Sequence, residues 1–185
     1  MTDKQSGMPV AGAGALPTPA DGQTVALDAQ LCFPLYAASR LLTRRYQPLL
    51  ERFGLTYPQY VVLMVLWERA PRTVGEIGMR ALLNSNTLTP LLKRLEAQGL
   101  VRRRRAAGDE RVVEVHLTER GELLQAECAC IQHALRDHIA IASEKLVALK
   151  AGLEELLERL RRLELSDNAD FSWELRPRRE AGGQS

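Results

Sequence analysis

The chain has 185 residues, 45% of them apolar and 26% charged, with 25 basic against 23 acidic side chains. That describes a folded protein of about one domain, with length to spare. Its apolar runs fall far short of the ~20 residues needed to span a bilayer, no basic-then-apolar leader follows Met1, and three cysteines make no disulfide framework. No membrane association is expected, and the expected compartment is a reducing cytoplasm, where a cysteine is buried filler, a ligand or a reactive thiol.

Residues 1–25 are rich in Gly, Ala, Pro and Thr and carry only Asp3, Lys4 and Asp21 as charges. They offer no periodic apolar face and read as a flexible tail. A long helix follows. Asp28 is a candidate N-cap, and Leu31, Leu35, Ala38, Leu42 and Leu49 recur at helical spacing as far as the stop signal Phe53-Gly54. Pro34 removes a hydrogen bond from any helix already under way, so an irregular first turn is expected there.

Thr56 caps a second predicted helix, with Pro58 in its first turn and Tyr60, Leu63, Met64 and Trp67 as its stripe. Pro71 ends it. Thr73 caps a short third helix with Ile77 and Ala81 inward. A fourth starts at Asn84 or Ser85, repeats apolar residues at Leu88, Leu91, Leu92 and Leu95, tolerates Pro90 in its early turns and stops at Gly99. The period then changes. Arg102 to Arg105, a turn over 106–110, and Val112, Val113, Val115 and Leu117 predict a β-hairpin with arginines on one flank. Thr118 and Glu119 open a fifth helix to about residue 141, and a sixth runs to about 163. Residues 165–185 read as a second tail. The predicted fold is mainly α with a small β-hairpin wing.

The near-neutral total hides one basic element. From Lys93 to Arg111 seven basic residues (Lys93, Arg94, Arg102, Arg103, Arg104, Arg105, Arg111) face three acidic ones (Glu96, Asp109, Glu110). Helix, short turn, helix and basic hairpin is the order of a winged helix-turn-helix. A helix fits the major groove of B-DNA while the preceding helix braces it on the backbone. Asn84, Ser85, Asn86, Thr87 and Thr89 put short polar groups at the start of the fourth helix, able to meet base edges or phosphates. Lys93 and Arg94 suit backbone phosphates, and the wing arginines suit a minor groove. Asp109 is placed to orient the Arg111 guanidinium at the hairpin turn. Each feature alone reads as a loop, a cap or a solvated edge; their order favours double-stranded DNA.

The fifth helix has two apolar sides. Leu124, Cys128, Ile131 and Leu135 form one; Ala126, Cys130 and Ala134 form another of small residues. A helix buried on both sides implies a partner. A two-fold homodimer built from residues 26–55 and 118–164 is expected, carrying two DNA-binding domains (56–117) one DNA turn apart on a pseudo-palindromic operator.

Leu27-Asp28-Ala29-Gln30-Leu31-Cys32-Phe33, Tyr36, Gly54-Leu55-Thr56-Tyr57-Pro58-Gln59-Tyr60, Leu66-Trp67-Glu68, the run from Leu88 to Glu96, and Asp109-Glu110-Arg111 together resemble the MarR family of bacterial regulators. Within it they resemble the organic-hydroperoxide-sensing repressors, OhrR. The resemblance covers about residues 26–163. The wing motif is general to the family; the Leu-Cys-Phe and Thr-Tyr-Pro-Gln-Tyr motifs are specific to the peroxide-sensing branch. It implies that Cys32 is the redox sensor, oxidised by an organic hydroperoxide to a sulfenic acid, after which the repressor leaves its operator. It also implies that Tyr36, Tyr46 and Tyr57 surround that cysteine. The hydroperoxide is expected to enter an apolar pocket near Phe33 and Tyr57. Pro34 departs from the family pattern.

The residues themselves agree in part. Cys32 and Tyr36 are four apart, so one phenol can lie over the sulfur and favour its thiolate. Tyr46 lies ~21 Å along the same helix, within reach only of a partner's Cys32 in an antiparallel pair. Some family members carry a resolving cysteine in the helix after the wing. Cys128 and Cys130 are ~200° apart on that helix, so at most one faces Cys32. Cys130, on the small-residue side, is favoured, and Cys128 fits the core stripe.

Three other readings stand beside this one: a repressor released by a small aromatic or phenolic ligand, a sensor of another oxidant or electrophile, and a protein-binding scaffold using the wing edge. A thiol peroxidase lacks support, since no histidine lies near Cys32 and no nucleophile–base pair is evident. No cofactor is expected, and nothing near Cys130 and His133 completes a tetrahedral metal set.

Overall fold

The computed structural model describes Leu27, residues 30–106 and residues 108–170. The expected tail at 1–25, the Asp28 cap and the chain beyond 170 lie outside the described residues. The element order is α1 (Cys32–Glu51), α2 (Tyr57–Glu68), β1 (Arg72–Thr73), α3 (Val74–Ala81), α4 (Ser85–Ala97), β2 (Val101–Ala106), β3 (Asp109–Leu117), α5 (Glu119–Ile139) and α6 (Ser143–Asp170). The chain divides into two compact units after Leu135.

In the first unit, α1 starts at Cys32 behind Leu31, which makes no side-chain cap. The irregular turn expected at Pro34 falls just before the helix instead, where Gln30 N donates to Leu27 O (3.1 Å) and Phe33 N to Gln30 O (3.2 Å). Pro34 is the third helical residue, a position whose N–H has no intrahelical acceptor. A second proline, Pro48, lies deep inside α1 and deprives the Arg44 carbonyl of its helical partner. Gly54, at φ +66°, turns the chain away.

The helix-turn-helix is built by local chemistry. The Gln59 Oε1 accepts from the Thr56 N–H at the start of α2 (2.8 Å). At α3, Thr73 and Glu76 form a reciprocal capping box: Thr73 N–H to Glu76 Oε2 (2.7 Å) and Glu76 N–H to Thr73 Oγ1 (3.2 Å). Glu68, at the end of α2, accepts from Arg80 Nε and Nη2 (3.0 and 2.6 Å) and Arg72 Nη2 (3.3 Å), tying α2 to α3 and β1. Between α3 and α4 the turn is tight: Leu82 is left-handed at φ 54°, and a Cβ on Gly78 would sit 2.9 Å from the Leu83 carbonyl oxygen.

The hairpin forms as expected, with β2 antiparallel to β3. A third strand, β1, joins the free side of β3 through Arg72↔Val115 and Thr73↔Glu114, giving the order β1-β3-β2. Two residues are too few to show a period, so the sequence alone does not reveal it. Leu50, Leu63, Leu66, Ile77, Leu92, Leu95, Val101 and Val115 are buried in the core, and Leu124, Cys128 and Ile131 close it from α5. Leu123 is exposed; it precedes the buried Leu124 by one residue, ~100° round the helix. Thr118 caps α5, its Oγ1 accepting from Gly121 N–H (3.1 Å) and donating to Gly99 O (2.6 Å).

The second unit contains the end of α5 and α6. Ion pairs four residues apart line α6 at Lys150–Glu154, Glu155–Arg159 and Glu158–Arg162. The helix was expected to stop near 163 and the tail to begin at 165; it continues to Asp170, because no Gly or Pro interrupts 164–170. Val147, Leu149, Leu157, Leu160 and Leu163 are exposed on it. Among the described residues no helix is long and apolar enough to cross a membrane.

Candidate functional site

The start of α4 combines structural and available polar groups. Asn84 is its N-cap, with Oδ1 accepting from Thr87 N–H (2.9 Å), so its carbonyl oxygen serves the helix. Thr89 Oγ1 donates to Ser85 O (2.8 Å), engaging its proton in the helix and leaving its lone pairs outward. Ser85, Asn86, Thr87, Lys93 and Arg94 are exposed. Leu88, Leu91, Leu92 and Leu95 bury the opposite face, so this polar edge is held rigidly outward.

The wing arginines divide into different roles. Strand alternation sets Arg102 and Arg104, paired across the hairpin with His116 and Glu114, on one exposed face. Arg105 and Arg111 are exposed near the tip. Arg103, expected to reach DNA with the other four, points the other way and is engaged by Glu96. Its backbone N–H donates to Glu96 Oε1 (2.9 Å), and its Nε and Nη2 donate to Glu96 Oε2 (2.8 and 2.5 Å). This clasp locks the base of the wing to the last turns of α4. It holds the Glu96 carboxyl below the usual range, chiefly through the side-chain hydrogen bonds from Arg103 and then the backbone one. Glu96 was not singled out from sequence, although period-two alternation in β2 already separates Arg103 from Arg102 and Arg104. Asp109 also acts differently from expectation: its Oδ1 accepts from the Arg111 backbone N–H (2.9 Å), which shapes the hairpin return. A two-residue separation favours that Asx-type bond over one to the guanidinium.

The thiols differ in exposure. Cys32, the first residue of α1, and Cys130 are exposed and free; Cys128 is free and buried. Burial pushes the Cys128 thiol up to about 11, with Cys130 and Glu127 adding to it. Burial and the raised value fit its place on the core stripe.

The aromatic residues gather at the far end of α1. The Tyr46 ring lies 4.9 Å from Tyr57 and 6.1 Å from Tyr60, and Tyr60 meets Trp67 edge-on at 5.9 Å. Burial raises the Tyr46 hydroxyl to about 12, reinforced by Tyr57 and Tyr60, and burial also raises Tyr57. Tyr36 stays near Cys32 and is exposed. Within one chain, then, Tyr46 and Tyr57 are brought together but not to Cys32.

Phe33 is likewise ~20 Å along α1 from Tyr46, so one chain does not build the pocket expected between Phe33 and Tyr57. A cleft of ≈ 540 Å³ opens instead between α2 and α5, lined by Tyr60, Met64, Trp67, Glu68, Gln125, Cys128, Ala129 and His133. Among the described residues no group of three or more His, Cys, Asp or Glu is arranged to hold a metal ion.

Comparison with known proteins places this arrangement. A family model described as transcriptional regulator SarA/Rot matches residues 44–127. The organic hydroperoxide resistance transcriptional regulator of Bacillus subtilis (strain 168) is 46% identical over 134 residues, covering 72% of this chain and 91% of its own. The solved structure of reduced AbfR bound to DNA is 40% identical with a TM-score of 0.63, covering 74% of this chain and 94% of that one. The disulfide-formed state of AbfR, a protein of Staphylococcus epidermidis, is 40% identical with a TM-score of 0.52, covering 74% and 91%.

Proposed function

The chain belongs to the MarR family of transcriptional regulators, close to the OhrR- and AbfR-type repressors, and on that premise we propose that it represses transcription as a DNA-binding homodimer released when an organic hydroperoxide oxidises Cys32. The observation that carries the reading is the position of Cys32: a free, exposed thiol at the first residue of α1. Peroxide attack needs an accessible thiolate, and the unpaired N–H groups of a helix N-terminus favour an anion. Cys128, buried in the core, meets neither condition.

In this reading, Ser85, Asn86, Thr87 and Thr89 face the major groove, Lys93 and Arg94 meet phosphate, and Arg102, Arg104, Arg105 and Arg111 serve the adjoining groove. The helices on either side of residues 56–117 join the protomers. Tyr46 and Tyr57 serve the partner's Cys32. The sulfenic acid condenses with the partner's Cys130, a residue exposed in the single chain, losing water and forming a disulfide. A shift of ~1–2 Å where the helices meet then misplaces both reading helices.

The cleft between α2 and α5 favours one second reading, release by a small aromatic ligand. One experiment separates them: binding to the protein's own upstream DNA, titrated with cumene hydroperoxide, before and after dithiothreitol, for wild type and Cys32→Ser. Peroxide should release the wild type, dithiothreitol should restore it, and the serine variant should stay bound. If both proteins bind and both ignore peroxide, the thiol reading fails and aromatic ligands are tried.

A further inference from the structure

Cys32, Tyr36 and Arg40 recur at every fourth residue of α1 and are all exposed. Residues so spaced stack along one helix face, and helical side chains lean toward the N-terminus. Arg40 therefore leans over Tyr36, and Tyr36 over the turn that carries Cys32. The first contact is explicit: the Arg40 guanidinium carbon lies 5.5 Å from the Tyr36 ring centroid, within the range of a cation–π contact. Among the described residues no carboxylate makes an ion pair with Arg40. Its charge is thus directed at the ring rather than spent on an acid.

We propose that Arg40 is a positioning residue for the oxidation of Cys32, acting through Tyr36; the proposal rests on the thiol reading above. In the reaction, the Cys32 thiolate attacks the terminal oxygen of the hydroperoxide. A sulfur–oxygen bond forms, the oxygen–oxygen bond breaks, and the alkoxide leaves and takes up a proton to become the alcohol. Sulfur gives up two electrons and the peroxide gains them. A phenol held against the sulfur helps by donating a hydrogen bond to the anion. A cation on the ring face does two things for that phenol. It fixes the ring orientation, and it draws electron density from the ring so that the hydroxyl donates more strongly.

The test measures the rate constant for Cys32 oxidation by cumene hydroperoxide, followed by mass spectrometry on the full-length protein. The variants are Arg40→Gln, Arg40→Lys, Tyr36→Phe and the Arg40→Gln/Tyr36→Phe pair. Arg40→Gln should slow oxidation two- to fivefold, the range an exposed cation–π contact supports. Lysine, still a cation, should restore at least half of the loss. Tyr36→Phe keeps the ring and removes the hydroxyl, so adding Arg40→Gln to it should change nothing further. The proposal is overturned by a wild-type rate in Arg40→Gln, by no rescue with lysine, or by an equal loss in the Tyr36→Phe background. DNA affinity of each reduced variant within twofold of wild type verifies folding. Cys32→Ser separates the two levels: if peroxide still releases that variant, the thiol reading itself fails, whereas normal Cys32 oxidation in Arg40→Gln removes only the role of Arg40.

Discussion

Replacing Glu96 with Gln tests whether the wing is held by α4 or is free to reach DNA on its own. Gln keeps an oxygen for the Arg103 N–H, now 2.9 Å from Oε1, and removes the anionic Oε2 that accepts from Nε at 2.8 Å and Nη2 at 2.5 Å. Both side chains are about one-third exposed, 30% for Arg103 and 35% for Glu96. The pair therefore belongs between a solvated surface bridge and a buried charge-assisted bond, and about 1 kcal/mol is the expected loss of stability. Strand pairing still holds the wing, so DNA affinity should fall by no more than about fivefold per half-site, the equivalent of that energy. Salt dependence should not change, because Glu96 meets no phosphate in the proposed complex. The assay is fluorescence anisotropy on the upstream DNA across a salt series. The reasoning is refuted if Glu96→Gln binds more tightly with a steeper salt slope, because that would mean Arg103 is a DNA ligand which Glu96 restrains. Acid unfolding gives a second check. The Glu96 carboxyl is depressed in the folded protein, so its contribution is complete above the ordinary carboxylate value near 4.3 and is lost as pH falls through the lower folded value. Glu96→Gln should remove that part of the acid sensitivity.

Tyr46 makes the opposite prediction in base. Its folded value of about 12 lies above the unfolded value of ~10, so the unfolded chain ionises first and stability falls as pH rises from about 10 to 12; urea unfolding across that window should show a flatter decline for Tyr46→Phe, and an unchanged decline would mean that the ring is not shielded. Gly121→Ala would place a Cβ 2.1 Å from the Leu100 carbonyl oxygen and 3.1 Å from its carbon, contacts only a backbone shift can relieve. A fall in Tm of at least about 5 °C is expected by calorimetry, and a Tm within 1 °C of wild type would show that α5 does not pass so close to the α4–β2 loop.

Most of the fold was legible because the signals are local. Thr56, Thr73 and Thr118 mark helix starts, Gly54 and Gly99 adopt the left-handed stops at φ +66° and +70°, and the change from helical to alternating spacing at Leu100 announces the hairpin. What escaped depends on contacts between distant residues. Gly121 carries no local signal; its reason is a carbonyl 21 residues earlier, and its own carbonyl accepts the Trp67 Nε1–H at 2.9 Å. Arg103 reads as one of four equal arginines until Glu96 is seen across the end of the helix. Pro34 looked disruptive only because the helix was expected to begin at Asp28, and a start at Cys32 makes it harmless. The Arg40–Tyr36 contact carried a readable four-residue spacing, yet spacing does not say that the cation lies over the ring.

The candidate sensor is incomplete in one chain, and the reason is length. Fourteen residues separate Cys32 from Tyr46 on a single helix, a rise of ~21 Å, and Tyr46 is committed to Tyr57 and Tyr60 at the far end. Only Tyr36 is near enough to attend its own cysteine. Yet α1 and the residue before it expose Leu31, Tyr36, Leu41 and Leu42, more apolar surface than an independent surface helix shows. In the reading proposed above, a second α1 running antiparallel would answer both facts at once: it would cover part of that surface and carry the partner's Tyr46 to each Cys32. Oxidation would then occur at the junction between protomers. A sulfur that gains an oxygen there needs room in a contact whose packing also sets the distance between the two DNA-reading helices. In that arrangement sensing and release would follow from one displacement, with no separate relay through the core. The same geometry says why Arg40 matters at the Tyr36 end: of the phenols proposed to serve Cys32, Tyr36 alone is held by the chain that carries the reacting thiol.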